Sequence, residues 1–120
     1  MCEIEKACGY IYLIKPLAYY KNGVKRIPFK IGYTRHADVQ DRLKQLQAGN
    51  FIPLHLYKVF GKLLDVRNHE RTVHNYILEH FPDAQGYEDA GSEWFWLSRK
   101  QLKKVEKLLS DITDCWATGW

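Results

Sequence analysis

A carboxylate set into the apolar stripe of a helix is the sequence's sharpest chemical signal. On a wheel of about 100° per residue, Val66 lies at about 0°, Val73 near 340°, Ile77 near 20° and Phe81 near 60°, and Glu70 falls among them near 40°. Burying an unpaired charge costs several kcal/mol, so Glu70 calls for a cation, either an arginine or a metal. A purely structural ion pair answers the same demand. His74, one turn on near 80°, sits at the stripe's edge as a core-margin histidine or a site residue. His69 and His74 are five residues apart and roughly 140° divergent, which excludes the H-E-x-x-H zinc arrangement. One well-placed carboxylate suits Mg²⁺, which keeps several waters and leans on phosphate oxygens of a substrate.

Two cations and a row of tyrosines add to this. Arg42 lies about 40° from Leu46 at the border of a narrow apolar stripe, where its guanidinium either snorkels to solvent or clamps a phosphate. Lys30 stands in mid-strand among apolar neighbours, and an inward lysine needs an anion. Tyr10, Tyr12 and Ile14 share one strand face, where tyrosines ordinarily serve packing.

The elements that must position these groups follow from periodicity. Residues 10–15 and 27–33 read as a hairpin with a long loop reversing at Asn22-Gly23. The second run puts Ile27, Phe29, Ile31 and Tyr33 on one face and Pro28, Lys30 and Gly32 on the other. A helix capped by Asp38 carries Val39, Leu43 and Leu46 and stops at Gly49-Asn50. A third strand spans 54–60. Asp65 caps a longer helix that runs to about Phe81 and ends at Pro82. An exposed loop at 82–91 precedes a short strand at 92–97. Ser98-x-x-Gln101 is a capping box opening a last helix, about 98–113, with Leu102, Val105, Leu109 and Ile112 on one face.

The 120 residues are one domain's worth of chain, and 46% hydrophobic with 27% charged residues is the balance of a globular domain. No apolar stretch reaches the roughly 18 residues of a membrane span. The acidic start Met-Cys-Glu-Ile-Glu-Lys has no export signal, and Cys2, Cys8 and Cys115 form no C-x-x-C pair, so free thiols in a reducing cytoplasm are expected. Net charge is +4, distributed as +7 over residues 1–62 and −3 over residues 63–120, which makes the first half the anion-facing one.

Taken in order, these residues resemble the GIY-YIG endonuclease superfamily. The motifs are Gly9-Tyr10-Ile11-Tyr12-Leu13-Ile14, then Phe29-Lys30-Ile31-Gly32-Tyr33-Thr34, then Val39-Gln40-Asp41-Arg42-Leu43-Lys44-Gln45-Leu46. Asn68-His69-Glu70-Arg71-Thr72-Val73-His74 and Ser92-Glu93-Trp94-Phe95 follow, so the likeness covers about residues 9–97. It is most similar to the small phage and bacterial branch in which Lys opens the second motif and a Glu-x-x-x-His pair lies on the later helix. Tyr10 stands where the family's glycine precedes the Ile-Tyr pair, and Lys30 stands where a tyrosine is usual.

The resemblance implies an α+β fold, a small three-stranded antiparallel sheet flanked by helices, with a C-terminal helix, in a single domain over residues 1–120. It implies a metal-dependent endonuclease that hydrolyses DNA phosphodiester bonds with Mg²⁺ or Mn²⁺. Carried over, Glu70 holds the metal, Tyr12 acts as general base or orients the attacking water, and Arg42 stabilises charge on the scissile phosphate. Lys30 contacts phosphate or assists Tyr12, and His74 joins the same cleft. With nearly every residue inside the nuclease-like region, DNA specificity would come from a homodimer or a targeting partner protein, in the host cytoplasm if the chain is phage-encoded. The alternatives are a catalytically silent nucleic-acid-binding module, or an interaction protein built on Trp94, Trp96, Trp116 and Trp120.

Overall fold

The computed structural model describes residues 8–16, 26–35, 39–48, 53–84 and 94–116. The expected reversal at Asn22-Gly23, the Asp38 cap, the Gly49-Asn50 stop and Glu93 lie outside the described residues, as do Cys2 and Trp120. Strands β1 (Gly9–Pro16), β2 (Arg26–Thr34) and β3 (Leu54–Leu63) and helices α1 (Val39–Gln47) and α2 (Val66–His80) appear in the expected order. A 3-10 turn (Pro82–Ala84) with Ala84 buried, at the start of the expected loop, strand β4 (Trp94–Ser98) and helix α3 (Arg99–Trp116) complete the described elements.

The α+β class holds, but the sheet has four antiparallel strands and not the expected three, in the order β3-β1-β2-β4. The 92–97 segment joins it with Phe95 and Leu97 in the main core and Trp96, on the alternate face, buried as well. Strand β4 pairs with the first half of β2, from Arg26 opposite Ser98 to Lys30 opposite Trp94.

Two apolar layers flank the sheet. One face carries Ile11, Leu13, Phe29, Ile31, Phe95 and Leu97, packed with Val66, Val73 and Ile77 of α2 and Val105 and Leu109 of α3. The other carries Tyr12 and Ile14, packed with Val39, Leu43 and Leu46 of α1 and with Leu54 and Leu56. The strand alternation thus assigns Lys30 and Gly32 to the α1 side, opposite Phe29 and Ile31.

Local chemistry sets the boundaries. Gly61 takes a φ of +139°, open to glycine, and the β1–β3 register shifts there so that Leu63 turns back into the core. Asp65 occupies the N-cap position of α2, but contrary to expectation its side chain makes no cap bond. It adopts a left-handed conformation (φ 58°, ψ 44°), which Asp tolerates, and its carbonyl accepts the amides of Asn68 and His69. The capping box forms as expected, with Ser98 N donating to Gln101 Oε1 at 2.9 Å and Gln101 N donating to Ser98 Oγ at 3.2 Å. Helix α3 runs past the expected residue 113 to Trp116, whose carbonyl accepts the Leu64 amide and whose ring packs on His69. Cys8 and Cys115 are free thiols, one buried and one exposed.

Candidate active site

Tyr12 is 1% exposed, yet its hydroxyl is engaged in polar contact. Strand register sets Tyr12 directly across from Gly32, and a methyl built at Gly32 would lie 2.6 Å from Tyr12 Oη and 2.8 Å from Cζ. The phenol therefore lies flat over the Gly32 backbone, in space that any other residue would fill. From α1, Arg42 Nε donates to Tyr12 Oη at 3.3 Å, and its Nη1 donates to Gln45 Oε1 at 3.2 Å. The Arg42 guanidinium thus leans to the sheet, as its stripe-border position allowed. The end of α1 is tied down by the Leu54 amide donating to Gln47 Oε1 at 2.6 Å.

Helix α2 runs along the half of β2 that β4 does not cover among the described residues. At its start Val66 Cγ1 lies beside Gly9, which also faces the Thr34 carbonyl. Two turns on, His74 Nε2 stands 2.7 Å from the Ile31 carbonyl, and its ring packs on Phe95 at a centroid distance of 5.1 Å. A carbonyl only accepts, so Nε2 carries the proton and donates. Glu70 lies on α2 between Val66 and His74. It is 9% exposed, so the wheel correctly put this carboxylate inside.

Lys30 is half-buried on the α1 side of the sheet, one alternation from Gly32, with Nζ 5.9 Å from the centre of the Trp94 ring. Sequence reasoning missed two things. One is Gly32 as the seat of Tyr12, since only the pairing register reveals it. The other is the backbone bond that fixes the tautomer of His74. His69, set aside as a ligand, is buried against Trp116 at a ring distance of 4.9 Å. Among the described residues no group of three His, Cys, Asp or Glu side chains is placed to hold a metal, so Glu70 would act with waters and substrate oxygens.

The sequence matches the T5orf172 domain over residues 9–110. The chain belongs to the T5orf172 domain family. No curated protein and no solved structure matches it. T5orf172 domains are found in the GIY-YIG-like, nuclease-associated superfamily of phage and bacterial proteins, consistent with a nuclease-like or nucleic-acid-binding module. In this T5orf172 domain the match takes in every element from β1 to most of α3, including Tyr12, Lys30, Arg42, Glu70 and His74. No helix among the described residues is long and apolar enough to cross a membrane.

Proposed function

We propose that this T5orf172 domain is a GIY-YIG-type endonuclease that hydrolyses DNA phosphodiester bonds with one divalent cation, Mg²⁺ or Mn²⁺. The observation that carries the reading is Tyr12, seated on Gly32 with its hydroxyl held by Arg42. Phosphodiester hydrolysis needs a base to orient and deprotonate the attacking water, and compensation for charge growing on phosphate oxygens. The Tyr12 hydroxyl takes the first role. Arg42 takes the second, its guanidinium supplying fixed positive charge beside the scissile phosphate. Lys30 adds a second cation on the same sheet face. His74, bonded to β2, acts as a positioning residue for the strand that carries Gly32.

The donor set fits a hard cation that keeps water. Glu70 supplies the one buried carboxylate among these residues. When bound, the metal supplies Lewis-acid stabilisation of the phosphate. Specificity for a DNA site would come from a second copy or a targeting partner.

The test incubates the purified protein with supercoiled plasmid in Mg²⁺, Mn²⁺ or chelator, beside Glu70→Ala. Metal-dependent nicking or linearisation that disappears in Glu70→Ala is the expected result. Salt-sensitive plasmid binding by both proteins without cleavage by either would replace this reading with a silent binding module, which the +7 charge of residues 1–62 would then serve.

A further inference from the structure

A cavity lies on the sheet face opposite Tyr12 and Arg42. It has a volume of about 770 Å³ and opens between the sheet and the first half of α3. That volume falls within the range of small-molecule sites, about 300–1,000 Å³. Its floor is apolar, made by Ile27 and Phe29 of β2, Leu97 of β4 and Leu102 of α3. Its rim carries three cations, Lys15, Arg99 and Lys103, and a single carboxylate, Glu106.

Glu106 is already satisfied. Its Oε2 accepts from Tyr57 Oη at 3.0 Å, and its Oε1 pairs with Lys58. The cavity therefore presents a surplus of positive charge. None of Lys15, Arg99 and Lys103 forms an ion pair among the described residues. Tyr57 forms part of the wall, braced edge-on against Phe29 at a ring distance of 5.4 Å, with Lys15 Nζ 5.8 Å from its ring centre. Burial first, then the Glu106 hydrogen bond and charge, push the Tyr57 phenol up, so it stays a neutral, flat wall at physiological pH.

An apolar floor, an aromatic wall and cations confined to the rim define an occupant with a flat uncharged body and an anionic end. A simple anion would leave the floor wet, and a metal cation is repelled by the rim. We infer that this cavity binds a nucleotide unit, with its base against Tyr57 and the apolar floor and its phosphate among Lys15, Arg99 and Lys103. Free mononucleotide and an unpaired nucleotide of a strand present the same chemistry. The site is separate from the proposed cleavage centre and stands whether or not that centre cuts.

The test titrates the ¹⁵N-labelled protein with AMP, adenosine, inorganic phosphate and a short single-stranded oligodeoxynucleotide. Expected are saturable shifts centred on Tyr57, Arg99 and Lys103, with adenosine and phosphate each binding more weakly than AMP. Arg99→Ala/Lys103→Ala should weaken AMP about tenfold, since each removes one exposed charge contact and neither side chain is part of the core. Lys107→Ala, an exposed lysine of α3 that does not line the cavity, should leave AMP binding unchanged. Tighter binding of the oligonucleotide than of AMP at the same residues identifies the strand as the source, and the reverse identifies the free nucleotide. No saturable shift at these residues with either probe would overturn the inference. Phosphate binding as tightly as AMP, or AMP affinity untouched by the double variant, would do the same.

Discussion

Replacing Gly32 with alanine probes the seat of Tyr12 directly. The new methyl would stand 2.6 Å from Tyr12 Oη, 2.8 Å from Cζ and 3.1 Å from Cε1, all inside ordinary van der Waals contact. Tyr12 is 1% exposed, and the two residues face each other in the β1–β2 ladder, so the backbones cannot part without breaking strand pairing. The ring must tilt, and overpacking of this kind costs about 1–3 kcal/mol. Each kcal/mol lowers Tm by about 3–6 °C in a domain of this size, so Gly32→Ala should melt roughly 5–15 °C lower. The tilt also carries the hydroxyl away from Arg42. Misplacement of a reacting group by about 1 Å costs on the order of 10²-fold in rate, so nicking should fall by that factor even well below Tm. Thermal unfolding by circular dichroism and plasmid nicking read the two effects separately. Tyr12→Leu removes the ring atoms that meet the methyl, so the stability losses of Tyr12→Leu and Gly32→Ala should be less than additive by at least about 0.5 kcal/mol. Unchanged Tm with full nicking in Gly32→Ala, or strict additivity in the double variant, would refute the seat.

Three further outcomes are expected. Arg42→Lys keeps a charge but loses Nε and the planar fork, so nicking should drop about 10²–10³-fold while thermal stability stays close to that of the parent, as befits a half-exposed side chain. Ser98→Ala removes the hydroxyl that accepts from Gln101 N and should cost about 1 kcal/mol in chemical denaturation. The Tyr57–Glu106–Lys58 cluster predicts a loss of stability at high pH. The hydrogen bond to Glu106 raises the Lys58 ammonium above 10.5, and burial followed by the Glu106 bond raises the Tyr57 phenol above 10.0. Folded values above unfolded ones mean that the contribution is fully present below about pH 10 and disappears as pH rises through the folded values. Lys58 is half exposed, so its share is small. Urea midpoints should hold steady from neutral pH to about pH 9.5 and fall beyond, less steeply in Glu106→Gln; parallel declines in the two proteins would sink this account.

The elements were legible because each announces itself locally. Alternation at 27–33, the 3.6-residue period around Val66, Val73 and Ile77, and the Ser98–Gln101 box need no partner to be recognised. Glu70 was legible as a buried carboxylate for the same reason, since the wheel alone puts it in the apolar stripe. What escaped depends on tertiary context. Strand β4 was expected as a short strand but not as a member of the sheet, because its pairing with Arg26–Lys30 joins segments far apart in the chain. The last turn of α3 extends beyond its own apolar stripe because Trp116 docks on His69 and Leu64, contacts no local pattern encodes. Asp65 has the side chain of a cap, but the tight turn between β3 and α2 puts it in a left-handed conformation from which the carbonyl, and not the carboxylate, satisfies the helix amides.

The same distinction governs how firmly each candidate catalytic group is held. Tyr12 and Gly32 lie in the two central strands, whose ladder fixes their relative position through the backbone alone. Glu70 rides on a fifteen-residue helix anchored by Val66, Val73 and Ile77 in the main core and by His74 on the Ile31 carbonyl. Arg42 comes from a nine-residue helix packed only on the smaller cluster around Tyr12 and Ile14, a layer with three buried members against thirteen in the main core. A short helix with little buried area opens at low free-energy cost. The bond from Arg42 Nε to Tyr12 Oη, at 3.3 Å, is at the long end of the normal range. In the proposed enzyme the position of the arginine thus depends on a short helix, and that of the tyrosine on the sheet.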